Sequence, residues 1–136
     1  MLNKTQRAEL INAAKQARAS AYAPYSKYHV GAALLTASGK IYLGANIENA
    51  AYPDSICAER VAIFTAVTEG ERAFQAIAVV TSDGGTPCGS CRQVLAEFSL
   101  DANVLIANEK GEIVREETVA SLLPGAFGPQ NLKATL

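Results

Sequence analysis

A chain of 136 residues, 49% hydrophobic and 18% charged, has the length and apolar content of one packed domain and excludes a disordered or fibrous segment. Its 12 basic and 13 acidic residues are scattered and leave a net charge of −1, so no basic run neutralises a phosphate backbone; the expected partner is a small molecule, with no nucleic acid. No apolar stretch reaches membrane-spanning length, and Lys4, Arg7, Glu9, Lys15 and Arg18 interrupt residues 1–20, unlike a signal peptide, so a soluble cytoplasmic protein without a membrane partner is expected.

Residues 5–22 carry Ala8, Leu10, Ile11, Ala14 and Ala17 at helical spacing, and Thr5 followed by Arg7-Ala8-Glu9 predicts the helix start. Ala23-Pro24-Tyr25-Ser26 breaks that pattern. Two apolar runs, 28–37 and 40–46, flank Ser38-Gly39 and predict a hairpin. Val61, Ile63, Phe64 and Val67 predict a second helix over 57–69, stopped by Gly70. A β-branched strand at 76–81 and the loop Ser82-Asp83-Gly84-Gly85 lead to a third helix over 88–98, with Pro87 in its first turn. Closing strands are expected at 103–107 and 112–116, around Asn108-Glu109-Lys110-Gly111, then a short helix at 118–122 and an irregular tail. Strands alternating with helices, and apolar on both faces, predict an α/β fold: a three-layer α/β/α sandwich with a mixed sheet of about five strands, in a single domain over 1–136.

All three cysteines fall in two motifs, Cys57-Ala58-Glu59-Arg60 and Pro87-Cys88-Gly89-Ser90-Cys91. An odd count with two members in C-x-x-C fits metal ligation in a reducing compartment better than a disulfide framework. A redox pair would need neither a third cysteine nor an acid two positions after it. A closed structural zinc site would need a fourth ligand; His29, the only histidine, lies in a predicted strand and reads as a packed or surface imidazole. Three thiolates on one Zn²⁺ leave a position for water, which makes the site catalytic, and Glu59 on the first helical turn faces the same spot as a proton carrier. Cys57, Cys88 and Cys91 at two helix starts turn the positive dipole ends toward the thiolates. The metal and its thiolates still carry net negative charge, and Arg60 is placed to offset it; its alternative is a solvated helix position.

These motifs, with Ala23-Pro24-Tyr25-Ser26-Lys27, Val30-Gly31-Ala32-Ala33, Gly44-Ala45-Asn46-Ile47-Glu48-Asn49-Ala50 and Leu122-Leu123-Pro124-Gly125-Ala126-Phe127-Gly128, resemble the small homotetrameric cytidine deaminases of nucleoside salvage nearly end to end. The resemblance implies one Zn²⁺ per chain and hydrolysis of cytidine or deoxycytidine to uridine or deoxyuridine plus ammonia. It implies that Asn46 and Glu48 hold ribose hydroxyls, that Glu59 shuttles protons, and that backbone groups of Ala58 and Thr86 address the pyrimidine edge and the departing amine. It implies a homotetramer in which Phe127 reaches a neighbouring subunit's site, with Tyr25 and Tyr52 in subunit contacts near it; packed within its own chain, Phe127 would instead anchor the tail. Two departures stand out. Tyr28-His29 replaces a usual Phe and its neighbour, so a ring packed against the base now brings a hydroxyl that needs a partner. Ala45 replaces a frequent Cys. A blasticidin-like aminopyrimidine nucleoside would use the same zinc motif, but Asn46 and Glu48 favour a free ribonucleoside, and a carboxylate by the sugar disfavours phosphate. A non-catalytic, zinc-stabilised binding module is the reading from another class.

Overall fold

In the computed structural model, which describes residues 2–132, the first helix is capped by Asn3 rather than started by Thr5. The Asn3 side chain accepts from the Gln6 N–H at 2.8 Å and the Gln6 side chain accepts from the Asn3 N–H at 3.0 Å, satisfying two amides that a helix start leaves without intrahelical partners. Helix α1 then runs Lys4–Ala17 and tightens into a 3₁₀ turn, Arg18–Ser20, short of the expected Tyr22. The other elements follow the expected order: β1 (Gly31–Thr36), β2 (Ile41–Ala45), α2 (Ala58–Thr68), β3 (Phe74–Val80), α3 (Gly89–Phe98), β4 (Asn103–Ala107), β5 (Ile113–Thr118) and α4 (Val119–Leu122).

The five strands form one mixed sheet in the order β2-β1-β3-β4-β5. Only β3 and β4 are parallel, joined through α3; the other neighbours are antiparallel. Alternation along the central strands feeds two cores. Ala32, Leu34, Ile77, Val79, Val104 and Ile106 face α2, α3 and α4, while Ala33, Leu35, Ala76, Ala78, Val80 and Leu105 face Leu10, Ile11 and Ala14 of α1. This is the predicted three-layer sandwich. Strand β5 departs from it. Five of its six residues are exposed, and its run of Arg115, Glu116 and Glu117 charges an edge that would otherwise offer unpaired backbone to another chain. Pro87 lies before the N-cap of α3 rather than in its first turn, because Cys88 takes the cap with extended backbone.

Sheet register decides where the site forms. Gly31 pairs with both Ala45 and Val80, so the start of β1 and the ends of β2 and β3 lie side by side at one end of the strands. The segment holding Tyr28, the stretch from Asn46 to Cys57 and the loop from Thr81 to Cys88 all emerge there. Gly44 brings β2 against the first turn of α2: a Cβ at that position would collide with the Ala58 carbonyl oxygen and crowd the Ala62 amide.

Candidate active site

Cys57 and Cys88 are the N-cap residues of α2 and α3, and Cys91 sits in the first turn of α3. Their Sγ atoms lie within 4.8 Å of one another, with Cys57 to Cys88 at 3.8 Å and Cys88 to Cys91 at 3.5 Å. Tetrahedral thiolate ligands at a Zn–S distance near 2.3 Å stand about 3.8 Å apart, so the three sulfurs fit one Zn²⁺ as they are placed. No side-chain hydrogen bond caps either helix, which leaves the N-terminal dipoles directed at the sulfurs.

Charge is unevenly divided among the thiols. Hydrogen bonding from Cys91, and then from the Arg60 guanidinium and Cys88, lowers the Cys57 thiol to about 5 against the cost of burial. The fully buried Cys91 is raised, first by its bond to Cys57 and then by desolvation. A divalent cation between them would hold all three as thiolates. Arg60 therefore lies beside the ligands rather than in solvent: its Nη2 donates to Cys57 Sγ at 3.3 Å.

Glu59, one residue before Arg60, is 4% exposed, and burial lifts its carboxyl to about 7, with the neighbouring Cys57 charge adding to the rise. That value suits a group that both takes and gives protons at neutral pH. Glu59 and Ala58 line a cavity of about 550 Å³ together with Cys57, Cys88, Arg60 and Thr86; Tyr28, Asn46, Glu48 and Tyr52 complete it on the far side. The volume is that of a small-molecule pocket. A wider groove of about 930 Å³ runs along α1, on the other face of the sheet from the cysteines.

Asn46 and Glu48 are largely engaged within the chain. Asn46 Oδ1 accepts from Val30 N–H at 2.9 Å and its Nδ2 donates to the Tyr28 carbonyl at 2.8 Å. Glu48 Oε1 accepts from the Tyr25 and Ser26 amides at 3.0 and 3.1 Å, and Oε2 accepts from Ser26 Oγ. These bonds, the Ser26 hydroxyl first, hold the Glu48 carboxyl below its ordinary range.

Phe127 and Tyr25, which the resemblance assigns to a neighbouring subunit's site and to a subunit contact, stand outside this chain's own pocket, as does His29, the imidazole expected to be packed or on the surface rather than a ligand. Gln93 Nε2 holds the Phe127 carbonyl at 2.9 Å while the residue stays 58% exposed. Tyr25 stands at the rim, edge-to-face with Tyr52 at 5.9 Å between ring centres. His29 is outside the cysteine cluster, its Nδ1 3.1 Å from the Lys27 carbonyl.

Sequence reasoning missed Arg92. Its guanidinium donates to the Pro87 carbonyl at 2.7 Å, Thr86 Oγ1 at 3.0 Å and the Leu122 carbonyl at 2.9 Å, fixing the approach to Cys88. Only its position directly after Cys91, one helical turn from Cys88, hinted at this.

The sequence model for the cytidine and deoxycytidylate deaminase zinc-binding region matches residues 4–107. A cytidine deaminase of Sporosarcina psychrophila is 54% identical over 127 residues, covering 91% of this chain and 93% of its own. One from Halalkalibacterium halodurans is 52% identical over 126 residues, covering 90% and 95%. The crystal structure of cytidine deaminase from Burkholderia pseudomallei superposes with a TM-score of 0.84 at 46% identity, over 93% of this chain and all of that one. A mixed sheet with a three-cysteine cluster able to hold zinc at the N-termini of the two helices packed on it defines a zinc-dependent deaminase fold. The chain belongs to the cytidine and deoxycytidylate deaminase family.

Proposed function

We propose that the protein hydrolyses the 4-amino group of cytidine and deoxycytidine, releasing ammonia and leaving uridine or deoxyuridine. The observation that carries this is the buried Glu59 carboxyl, placed beside the three-sulfur cluster in one cavity with Asn46 and Glu48. Zn²⁺ held by Cys57, Cys88 and Cys91 would supply Lewis-acid activation of water. Glu59 would take one proton from the attacking water and deliver it to N3 of the pyrimidine, then take the second proton from the same oxygen once it is bonded to C4 and give it to the departing amine, leaving the C4 carbonyl. The Ala58 and Thr86 backbone groups orient the base edge and the leaving group. Arg60 offsets the thiolate charge.

Counting free hydrogen-bonding capacity supports both nucleosides. Glu48 has used three of its roughly four acceptor positions, and Asn46 keeps one Nδ2 hydrogen. With the second lone pair of Asn46 Oδ1 this leaves two acceptors and one donor, enough for one sugar hydroxyl or for two, so both the ribonucleoside and its 2′-deoxy form can be held. The ionised Glu48 favours a neutral nucleoside over a nucleotide.

The reading extends to a homotetramer with shared sites. Phe127 is exposed outside its own pocket, Tyr52 is 71% exposed at the rim, and Tyr22, Leu43, Ile47 and Phe64 leave further apolar surface uncovered. Three free thiols fit a reducing cytoplasm, and among the described residues no helix is long and apolar enough to cross a membrane.

A substrate panel followed by loss of cytosine absorbance, with ammonia and zinc measured on the same sample, tests the function. Turnover of cytidine and deoxycytidine but not of the 5′-monophosphates is expected. No ammonia release from a zinc-loaded protein would refute it.

A further inference from the structure

One side chain spans the cavity from its sugar-side wall to its metal-side loop. Tyr28 Oη donates to Asp83 Oδ1 at 2.7 Å. The same Asp83 oxygen accepts from Thr81 Oγ1 and from the Gly85 N–H, each at 3.2 Å. Thr81 Oγ1 in turn accepts from the Gly84 and Gly85 amides at 2.8 and 2.9 Å. The loop after β3 is thus closed on itself around the tyrosine hydroxyl. Gly85 is needed for this, because a Cβ there would collide with Tyr28 Oη. Three residues further on stands Cys88.

The other end of Tyr28 is held as firmly. Its N–H donates to Ser26 Oγ at 3.0 Å, and that hydroxyl donates to Glu48. Its carbonyl accepts from Asn46 Nδ2 at 2.8 Å. Backbone and hydroxyl of one residue therefore connect Asn46 and Glu48 to the loop that leads into Thr86 and Cys88.

We propose that Tyr28 is a strut that sets the span between the sugar-holding and metal-holding halves of the cavity, and that Asp83 acts through it as a positioning residue for nucleoside binding. The proposal rests on the deaminase reading above. It is separate from ring packing, since a phenylalanine offers the same apolar face to a planar base but cannot make the tie. A strut that holds ground state and transition state alike contributes uniform binding, so its loss raises KM and leaves kcat unchanged. The loss of one typical hydrogen bond corresponds to roughly a three- to tenfold change.

The test is a double-mutant cycle on cytidine turnover with zinc content measured for every variant. Tyr28→Phe is expected to raise KM about three- to tenfold with kcat within about twofold of the parent. Asp83→Ala should do at least as much, because it also releases the 81–85 loop, and Tyr28→Phe/Asp83→Ala should match Asp83→Ala alone. Asp83→Asn keeps an acceptor oxygen and should restore near-parental KM. Additive effects in the double variant, an unchanged KM in Tyr28→Phe, or a fall in zinc content that parallels KM would each overturn the strut. Those outcomes leave the deaminase reading intact, whereas an inactive zinc-loaded parent would overturn both.

Discussion

Arg60 Nη2 and Cys57 Sγ meet at 3.3 Å within a single turn of α2, so the helix that supplies the first sulfur also supplies its countercharge. Arg60 Nε is the one buried side-chain nitrogen or oxygen among the described residues without a hydrogen-bond partner, so the polar contact that holds this guanidinium is the one from Nη2 to the sulfur. Arg60→Gln is expected to weaken zinc binding about 10- to 100-fold in chelator competition, with turnover falling in parallel. Arg60→Lys restores charge without the planar fork and should recover only part of the loss. Parental zinc affinity in Arg60→Gln would remove Arg60 from the metal's surroundings.

The metal assignment has a direct check. Cys88→Ala removes a sulfur that lies 3.8 Å from Cys57 and 3.5 Å from Cys91, leaving two thiols that cannot hold the cation alone at comparable affinity. Elemental analysis should find zinc near one per chain in the parent and far below that in the variant. Full zinc content in Cys88→Ala would exclude this ligand set.

Glu59→Gln keeps the shape of the side chain but cannot carry protons between water and base. The expected loss in kcat is roughly 10²-fold or more, with zinc content and nucleoside binding retained. Stopped turnover with intact binding of the product nucleoside, measured by calorimetry, is the signature. Turnover near the parental rate would take Glu59 out of the mechanism.

How much of this was readable beforehand follows from where the information lies. Cys57, Cys88 and Cys91 were legible as a metal-binding set because ligation fixes residue type and spacing together, and the sheet was legible because β1, β3 and β4 are apolar on both faces. Asn3 was overlooked as the cap because its signal is one reciprocal side-chain bond, weaker than the apolar spacing that begins after Thr5. Spacing hinted at Arg92 only through its place after Cys91, and gave no sign of the long-range ties of Arg92 and Asp83. Their partners, Leu122 and Tyr28, are 30 or 55 positions away for Arg92 and Asp83, and only the β1 to β3 register brings Tyr28 next to the loop.

Stability should respond to acid partly through the tie between α1 and the edge strand. Arg7 clasps Glu116 with two bonds, at 2.7 and 2.5 Å, and this holds the Glu116 carboxyl below its ordinary value. A carboxylate with a depressed folded-state pKa adds stability above its unfolded pKa and loses it as pH falls through the folded one. Both side chains are about one-third exposed, so solvent screening limits the contribution to at most ~1 kcal/mol. Glu116→Gln should therefore be slightly less stable than the parent in urea melts at pH ~7, with the gap closing below pH ~4. A gap that persists or widens in acid would count against the assignment.

The sharpest consequence of the proposed assembly concerns Phe127. Its side chain is exposed in its own chain, its carbonyl is fixed by Gln93, and the pocket it would serve is lined without it. A neighbour inserting this ring would exclude water from the base and strengthen the polar contacts around it. Phe127→Ala should then impair turnover without changing zinc content, and Glu59→Gln should be inactive for the separate reason given above. In an equal mixture of the two that is dissociated and reassembled, some sites combine an intact Glu59 from one chain with an intact Phe127 from another, about a quarter of them if pairing is random. Activity regained on mixing, together with sedimentation at the mass of four chains, is the expected result. A monomer with full activity, or a mixture no more active than the mean of its components, would show that each chain completes its own site.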